Sequence, residues 1–375
     1  MAEPLPDLLP GQRALFDIPD DVAYFNCASL SPQMLSVRRA GEEMLARLGH
    51  PWTIRSRDWF TGAEELRALF AKIVGAGAES VALIPATSYG IAVAAANTEA
   101  KRGDRIVLLA EDYPSNVYTW RAFAERTGAE IVTVASADAV AGAIDERVRV
   151  VAVPYVRWTN GELLDLERIG EAARAVNAMF IVDATQACGA MPVDVTRIRP
   201  DFLVSSGYKW LLGPFSSGYM YVDERHHGGK PIEQNWIARE GSEDFARLVD
   251  YRDAYQPGAR RFDVGQRANF ALAAMGIAAL TQILEWDVAR ISRTLGAITT
   301  DIERRAAALG IPVAEGRAPH IVGLKPSAPL KAIAKAMEAN NVYVGIRADT
   351  MRVSPHLHTS AADVDRLFEA LTEAL

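Results

Sequence analysis

Residues 205–214 read SSGYKWLLGP. The stretch follows an apolar run, Phe202-Leu203-Val204, and runs into a Gly-Pro turn. It is too apolar for a surface loop and too interrupted for a helix. Yet it sets one lysine, Lys209, between Tyr208 and Trp210. An amine at the end of an apolar strand needs a chemical reason, and the segments around it supply one.

Upstream, from Ser80 to about Val222, short β-branched runs read as strands: SVALIPA, DRIVLLA, EIVTVA, VRVVAVPYV, MFIVDA, DFLVSS and SGYMYV. Ala-rich helical patterns such as SYGIAVAAANTEAKRG lie between several of them. Near-continuous apolar strands alternating with helices predict an α/β fold with a mostly parallel, seven-stranded sheet covered on both faces. From about Phe270 the character changes to a long helix with one break. Shorter pieces follow: HIVGLKP, LKAIAKAMEAN, VYVGIR, MRVSP and a last helix that Ser360 and Asp363 would cap. The expected organisation is an N-terminal arm over 1–23, a large domain over 24–264, and a smaller α+β domain over 265–375 that begins with a long connecting helix. The polar segment 225–265 is long for a loop, and such loops are usually functional or lie at interfaces.

The chain has 375 residues, half of them hydrophobic, and a net charge of −7. No Lys/Arg-rich run stands out, so no nucleic-acid or anionic-membrane partner is expected. The apolar stretches are too short to span a bilayer, and MAEPLPDLLPGQ lacks the pattern of a signal peptide. The two cysteines, Cys27 and Cys188, form no disulfide framework or multi-cysteine zinc site. His356 and His358 would share a strand face with no third ligand, so no metal is expected. These readings predict a cytoplasmic protein.

In open α/β sheets, ligands bind beyond the carboxyl ends of the strands. Five groups follow strands here. They are Ala86-Thr87-Ser88-Tyr89-Gly90, Glu111-Asp112-Tyr113-Pro114-Ser115-Asn116, Arg157-Trp158-Thr159-Asn160-Gly161, Asp183-Ala184-Thr185-Gln186 and Ser205-Ser206-Gly207-Tyr208-Lys209. Together they offer hydroxyls at a helix start, an aromatic ring, an acid, an amide and an amine. Pyridoxal 5′-phosphate (PLP) uses such a set: an amine for a Schiff base, an acid for its ring nitrogen, and a helix N-terminus for its phosphate.

The segments PATSYGIA, VDATQA and SSGYKWLLGP…SGYMYV resemble the class V aminotransferase family of PLP enzymes. That family has the fold-type I architecture and includes cysteine desulfurases, kynureninases and isopenicillin N epimerase-like proteins. The resemblance implies that Lys209 carries PLP and that Asp183 pairs with its ring nitrogen, the two being the catalytic pair. It implies that Gln186 bonds the phenolic oxygen and that Tyr113 stacks on the ring. Thr87, Ser88, Ser206 and Tyr208 would hold the phosphate, with Gln266 reaching a partner's phosphate site across a homodimer. Arg352 would grip the substrate carboxylate, and Trp158 and Asn160 would line the substrate side, with Arg157 or Asn160 compensating for the bulk of Trp158.

The interval GIRADTM before Arg352 holds no cysteine. Cys188, expected on a helix after Asp183, reads as a small buried residue. A typical cysteine desulfurase is therefore not expected. The resemblance implies an enzyme acting on an α-amino acid, with an aminotransferase as the first reading. A C–S or C–C lyase or an epimerase is the alternative, and a non-catalytic PLP-binding protein the third.

Overall fold

The computed structural model describes residues 8–375. The first seven residues of the expected arm lie outside the described residues.

In chain order the strands are β1 (Ala23–Tyr24), β2 (Val81–Ile84), β3 (Arg105–Leu109), β4 (Glu130–Val134), β5 (Val148–Pro154) and β6 (Met179–Asp183). Then come β7 (Phe202–Ser206), β8 (Gly218–Val222), β9 (Val322–Leu324), β10 (Val342–Tyr343), β11 (Gly345–Arg347) and β12 (Thr350–Val353). The helices are α1 (Leu35–Leu48), α2 (Asp58–Val74), α3 (Thr87–Ala96), α4 (Pro114–Thr127) and α5 (Leu166–Ala175). They continue with α6 (Val195–Ile198), α7 (Phe270–Trp286), α8 (Val288–Ala308), α9 (Leu330–Ala339) and α10 (Ala361–Ala374).

Seven strands form the central sheet in the order β2-β8-β7-β6-β5-β3-β4. Only β8 runs against its neighbours β2 and β7; the other pairings are parallel. The carboxyl ends of β2, β3, β5, β6 and β7 therefore share one edge, as the alternating sequence predicts. Period-2 side-chain alternation sends neighbours into different cores. Leu203 packs with α2, α5 and α7 residues such as Phe70, Ile169 and Leu280. Phe202 and Val204 pack with α3 and α4 residues such as Ile91 and Phe123 on the other face. Burying such a side chain contributes roughly 1.5–3 kcal/mol, so the strands are held from both faces.

A third core joins α8, α9 and α10 to the sheet β11-β12-β9. Ala23 and Phe25 belong to it, because β1 pairs in parallel with β10. The N-terminal segment thus ties the carboxyl-terminal elements to the large sheet. The expected break in the long helix falls at Asp287, whose φ is 66° and whose side chain caps α8 through Arg290 N. Ser360 and Asp363 form a full capping box on α10. Among the described residues, no single helix is long and apolar enough to cross a membrane; the α7–α8 pair qualifies only as a span bent by 76°.

Candidate active site

After β7 the chain turns into the sheet edge rather than away from it. Gly207 N donates to Ser217 O at 2.7 Å, and Gly213 N donates to Gly207 O at 2.8 Å, closing the loop that carries the lysine. Trp210, fully buried, is pinned by its indole N–H to Gln186 Oε1 at 2.8 Å. Lys209 is held between these anchors, with Nζ 5.2 Å from the Tyr113 ring centroid and 5.8 Å from that of Tyr208. Burial pushes its amine down to about 8; Asp183 opposes the shift, and Arg352 and Arg347 add to it. An amine attacks a carbonyl only when uncharged. The rate at which apoprotein attaches PLP is therefore expected to rise with pH and level off above about 8. Stopped-flow absorbance checks this, and a rate that is flat from well below to well above that value rules it out.

Asp183 ends β6 and is buried; burial raises its pKa, while its bonds from Thr185 and the charge of Lys209 lower it. Oδ1 accepts from Thr185 N at 2.9 Å. Gln186 is oriented on both sides: Nε2 donates to Ala28 O at 2.9 Å, and Oε1 accepts from Trp210. One amide N–H remains for the cavity. The stretch after Asp183 is a run of turns, not the helix expected at Cys188. Gly189 decides this: its φ is 92°, and a Cβ there would lie 2.4 Å from Trp210 O.

Three hydroxyls meet at the start of α3. Thr87 Oγ1 lies 2.8 Å from Ser206 Oγ and 3.4 Å from Thr185 Oγ1, which accepts from Ser206 N at 3.2 Å. No side chain caps α3, whose N-cap is Ala86, so its first N–H groups are left to a ligand. Gly90 brings the helix this close: a Cβ would sit 2.5 Å from Val204 Cγ1. Sequence reading named Thr185 within its strand-end group but gave it no role.

Thr87, Ser88, Tyr113, Trp158, Asp183, Gln186, Ser206, Tyr208 and Lys209 all line one cleft that opens to solvent. Tyr113 is not a core tyrosine: it is 37% exposed and meets Trp158 edge-on at 5.5 Å. The cleft also has Asp112, Phe215, Ser216 and Ser217 on its wall, to which sequence reading gave no role. Asp112 is a second buried acid, pushed up to about 7 by burial first and by Asp183 as well. Its oxygens accept from Asn116 Nδ2 at 2.7 Å and Tyr113 N at 2.6 Å.

Four expected residues are not on that wall. Asn160 folds back, its Oδ1 accepting from Glu162 N at 3.0 Å. Arg157, the other candidate beside Trp158, spends its guanidinium on Glu162, Ala110 O and Ala135 O. Gln266 lines a separate small cavity that shares Ser216 and Ser217 with the cleft. Arg352 stands behind Trp158, donating to its carbonyl at 2.6 Å and to Asn26 Oδ1 at 3.3 Å. His356 and His358 follow β12 rather than lying on it, and among the described residues no three His, Cys, Asp or Glu converge on a metal position. Neither cysteine lines the cleft, and burial pushes both thiols up to about 12.

The residues present fit PLP. A buried amine suits its aldehyde, a buried acid its ring nitrogen, and an exposed tyrosine its ring face. The uncapped helix start with three hydroxyls suits its phosphate.

The sequence model of the family described as aminotransferase class-V matches residues 52–314. A kynureninase of Deinococcus radiodurans is 31% identical over 283 residues, covering 72% of this chain and 68% of that protein. An uncharacterized aminotransferase of Bacillus subtilis, YcbU, is 26% identical over 311 residues, covering 80% of each. A solved structure of C-DES, a lysine-to-alanine mutant with glycine covalently linked to the PLP cofactor, has the same fold. Its TM-score is 0.85 at 19% identity, covering 96% of this chain and 98% of that one. With a family match across most of its length and a cleft that fits the cofactor, this chain belongs to the class-V aminotransferase family of PLP-dependent enzymes.

Proposed function

We propose that the protein acts on an α-amino acid and that its reaction is transamination. One observation carries the reading: the cleft wall holds a single amine, buried and 5.2 Å from the Tyr113 ring centroid, with the buried acid Asp183 on the same wall. When bound, PLP supplies an electron sink for negative charge at the amino acid's Cα. Lys209 Nζ would attach the cofactor at rest and, once released, would move the Cα proton. Asp183 would stabilise a proton on the ring nitrogen. Gln186 would offer its spare N–H to the phenolic oxygen, and Tyr113 would cover the ring. Thr87, Thr185, Ser206 and the start of α3 would bind the phosphate, with Ser88 and Tyr208 beside them. Arg352 anchors the α-carboxylate; its guanidinium is 1% exposed, and its Nε lacks a partner.

The likeness to a kynureninase favours a second reading, a C–C or C–S lyase. Neither thiol reaches the cleft, which supports the reading that this is not a cysteine desulfurase. We further propose a cytoplasmic homodimer with Gln266 at the partner's edge. Trp236, Phe245 and Tyr251, exposed by 38%, 37% and 94%, cluster in the loop just before it.

The visible spectrum of PLP-loaded protein tests the reaction. With amino acids and no keto acid, transamination is expected to bleach the cofactor band until a keto acid restores it. A band that returns unaided, with ammonia or a side-chain fragment in solution, shows the lyase instead.

A further inference from the structure

Two arginines, not one, stand at the Trp158 edge of the cleft. Arg352 lies on β12 and Arg347 on β11, and the antiparallel register sets Arg352 opposite Gly345. Residues 345 and 347 share a strand face, so Arg347 is the diagonal cross-strand neighbour of Arg352. Like charges at such positions repel. Gly345 leaves the space between them clear: a Cβ there would come within 3.3 Å of Arg352 Nε and Nη2.

Among the described residues, no anion neutralises the pair. Arg352 donates only to the Trp158 carbonyl and the Asn26 amide oxygen. Arg347 reaches only the Ile346 carbonyl and, at 3.5 Å, Ser29 Oγ. Its guanidinium carbon lies over the Trp158 ring, 5.6 Å from the centroid, a cation–π contact that supplies no anion. Asp349, the carboxylate in the same hairpin, is engaged by Lys325 at 2.8 Å. Among the described residues, no acid pairs with either arginine. Burying the Arg352 guanidinium without a counter-ion is costly; Arg347 beside it is half-buried, and a substrate α-carboxylate answers only one of the two.

We infer that Arg347 and Arg352 together form a two-point anion site, so that the amino acid acted on carries a second acidic group in its side chain. This rests on the reading of an α-amino acid substrate and adds its class. Arg352 holds the α-carboxylate. Arg347, over the wall residue Trp158, meets the side-chain acid, and its planar fork suits a carboxylate, sulfinate or phosphonate.

The test is a binding titration of PLP-loaded protein with aspartate and glutamate against their uncharged counterparts asparagine and glutamine, read from the cofactor spectrum and by calorimetry. The acids are expected to bind about tenfold to a hundredfold more tightly, the worth of one charged hydrogen-bonded contact. R347Q is expected to bring that ratio close to one, and R347K, which keeps the charge but loses the fork, to leave it between the two. Amides that bind as tightly as acids overturn the inference, as does an R347Q protein with an unchanged ratio. A protein that loads no PLP at all sinks the underlying reading instead. One that loads PLP and prefers amides sinks this inference alone.

Discussion

Lys209→Ala, saturated with PLP, is expected to process amino acid at least about 10²- to 10⁴-fold more slowly than the unaltered protein, the usual contribution of a positioned acid–base group. The lysine amine has no hydrogen-bond partner among the described residues and is lowered toward its uncharged form chiefly by burial. Its removal therefore costs no structural bond, and the variant is expected to keep its fold and its phosphate site. Two measurements separate chemistry from folding: initial rates at saturating cofactor, and mass spectrometry of borohydride-treated digests. The unaltered protein should show a pyridoxyl group at Lys209, and the variant none. A variant retaining more than about a tenth of the rate shows that another group moves the Cα proton, and Lys209 would then be only the resting anchor.

The sheet was legible because its strands are nearly pure β-branched runs, and because helical patterns between them force parallel neighbours. That placement brought Lys209, Asp183, Gln186, Thr87 and Tyr113 to one edge before any contact was known. Thr185 escaped because a hydroxyl two residues after an acid reads as local turn chemistry; its role appears only when β6 and β7 lie side by side. Asp112 escaped for a similar reason. Before Tyr113-Pro114 it reads as a helix-entry residue, and only the folded chain shows it buried beside Asp183. Asn160 and Gln266 do not line this cleft, because side-chain direction in an irregular turn has no period to read. Arg347 could not be told from a surface arginine until the register set it diagonal to Arg352.

Asp263→Ala is expected to destabilise the protein by about 3–5 kcal/mol, the cost of stripping the counter-ion from buried cations. Asp263 is fully buried, at the end of the long polar loop. Its Oδ2 accepts from Arg67 Nη2 at 2.8 Å and from Arg267 Nη1 at 2.5 Å, and both arginines are buried as well. Its Oδ1 accepts from the backbone N–H of Leu83 in β2 at 2.8 Å. One carboxylate thus joins α2, the sheet edge and the segment carrying Gln266, and β2 leads directly into Thr87. Without it two guanidiniums face each other out of water, with Glu64 left to Arg67 at 3.3 Å and Gln256 to Arg267 at 2.9 Å. Against a total stability of about 5–15 kcal/mol, the loss is a large fraction. Urea unfolding followed by both fluorescence and circular dichroism measures it, and a variant within about 1 kcal/mol of the unaltered protein refutes the assignment. The matching triple change, Arg67→Met with Asp263→Leu and Arg267→Met, removes the charges together and is expected to recover most of the loss, because packed apolar groups replace a buried ionic cluster at little cost. If the triple variant is as unstable as Asp263→Ala, the bond to Leu83 N, and not charge balance, is what the aspartate contributes.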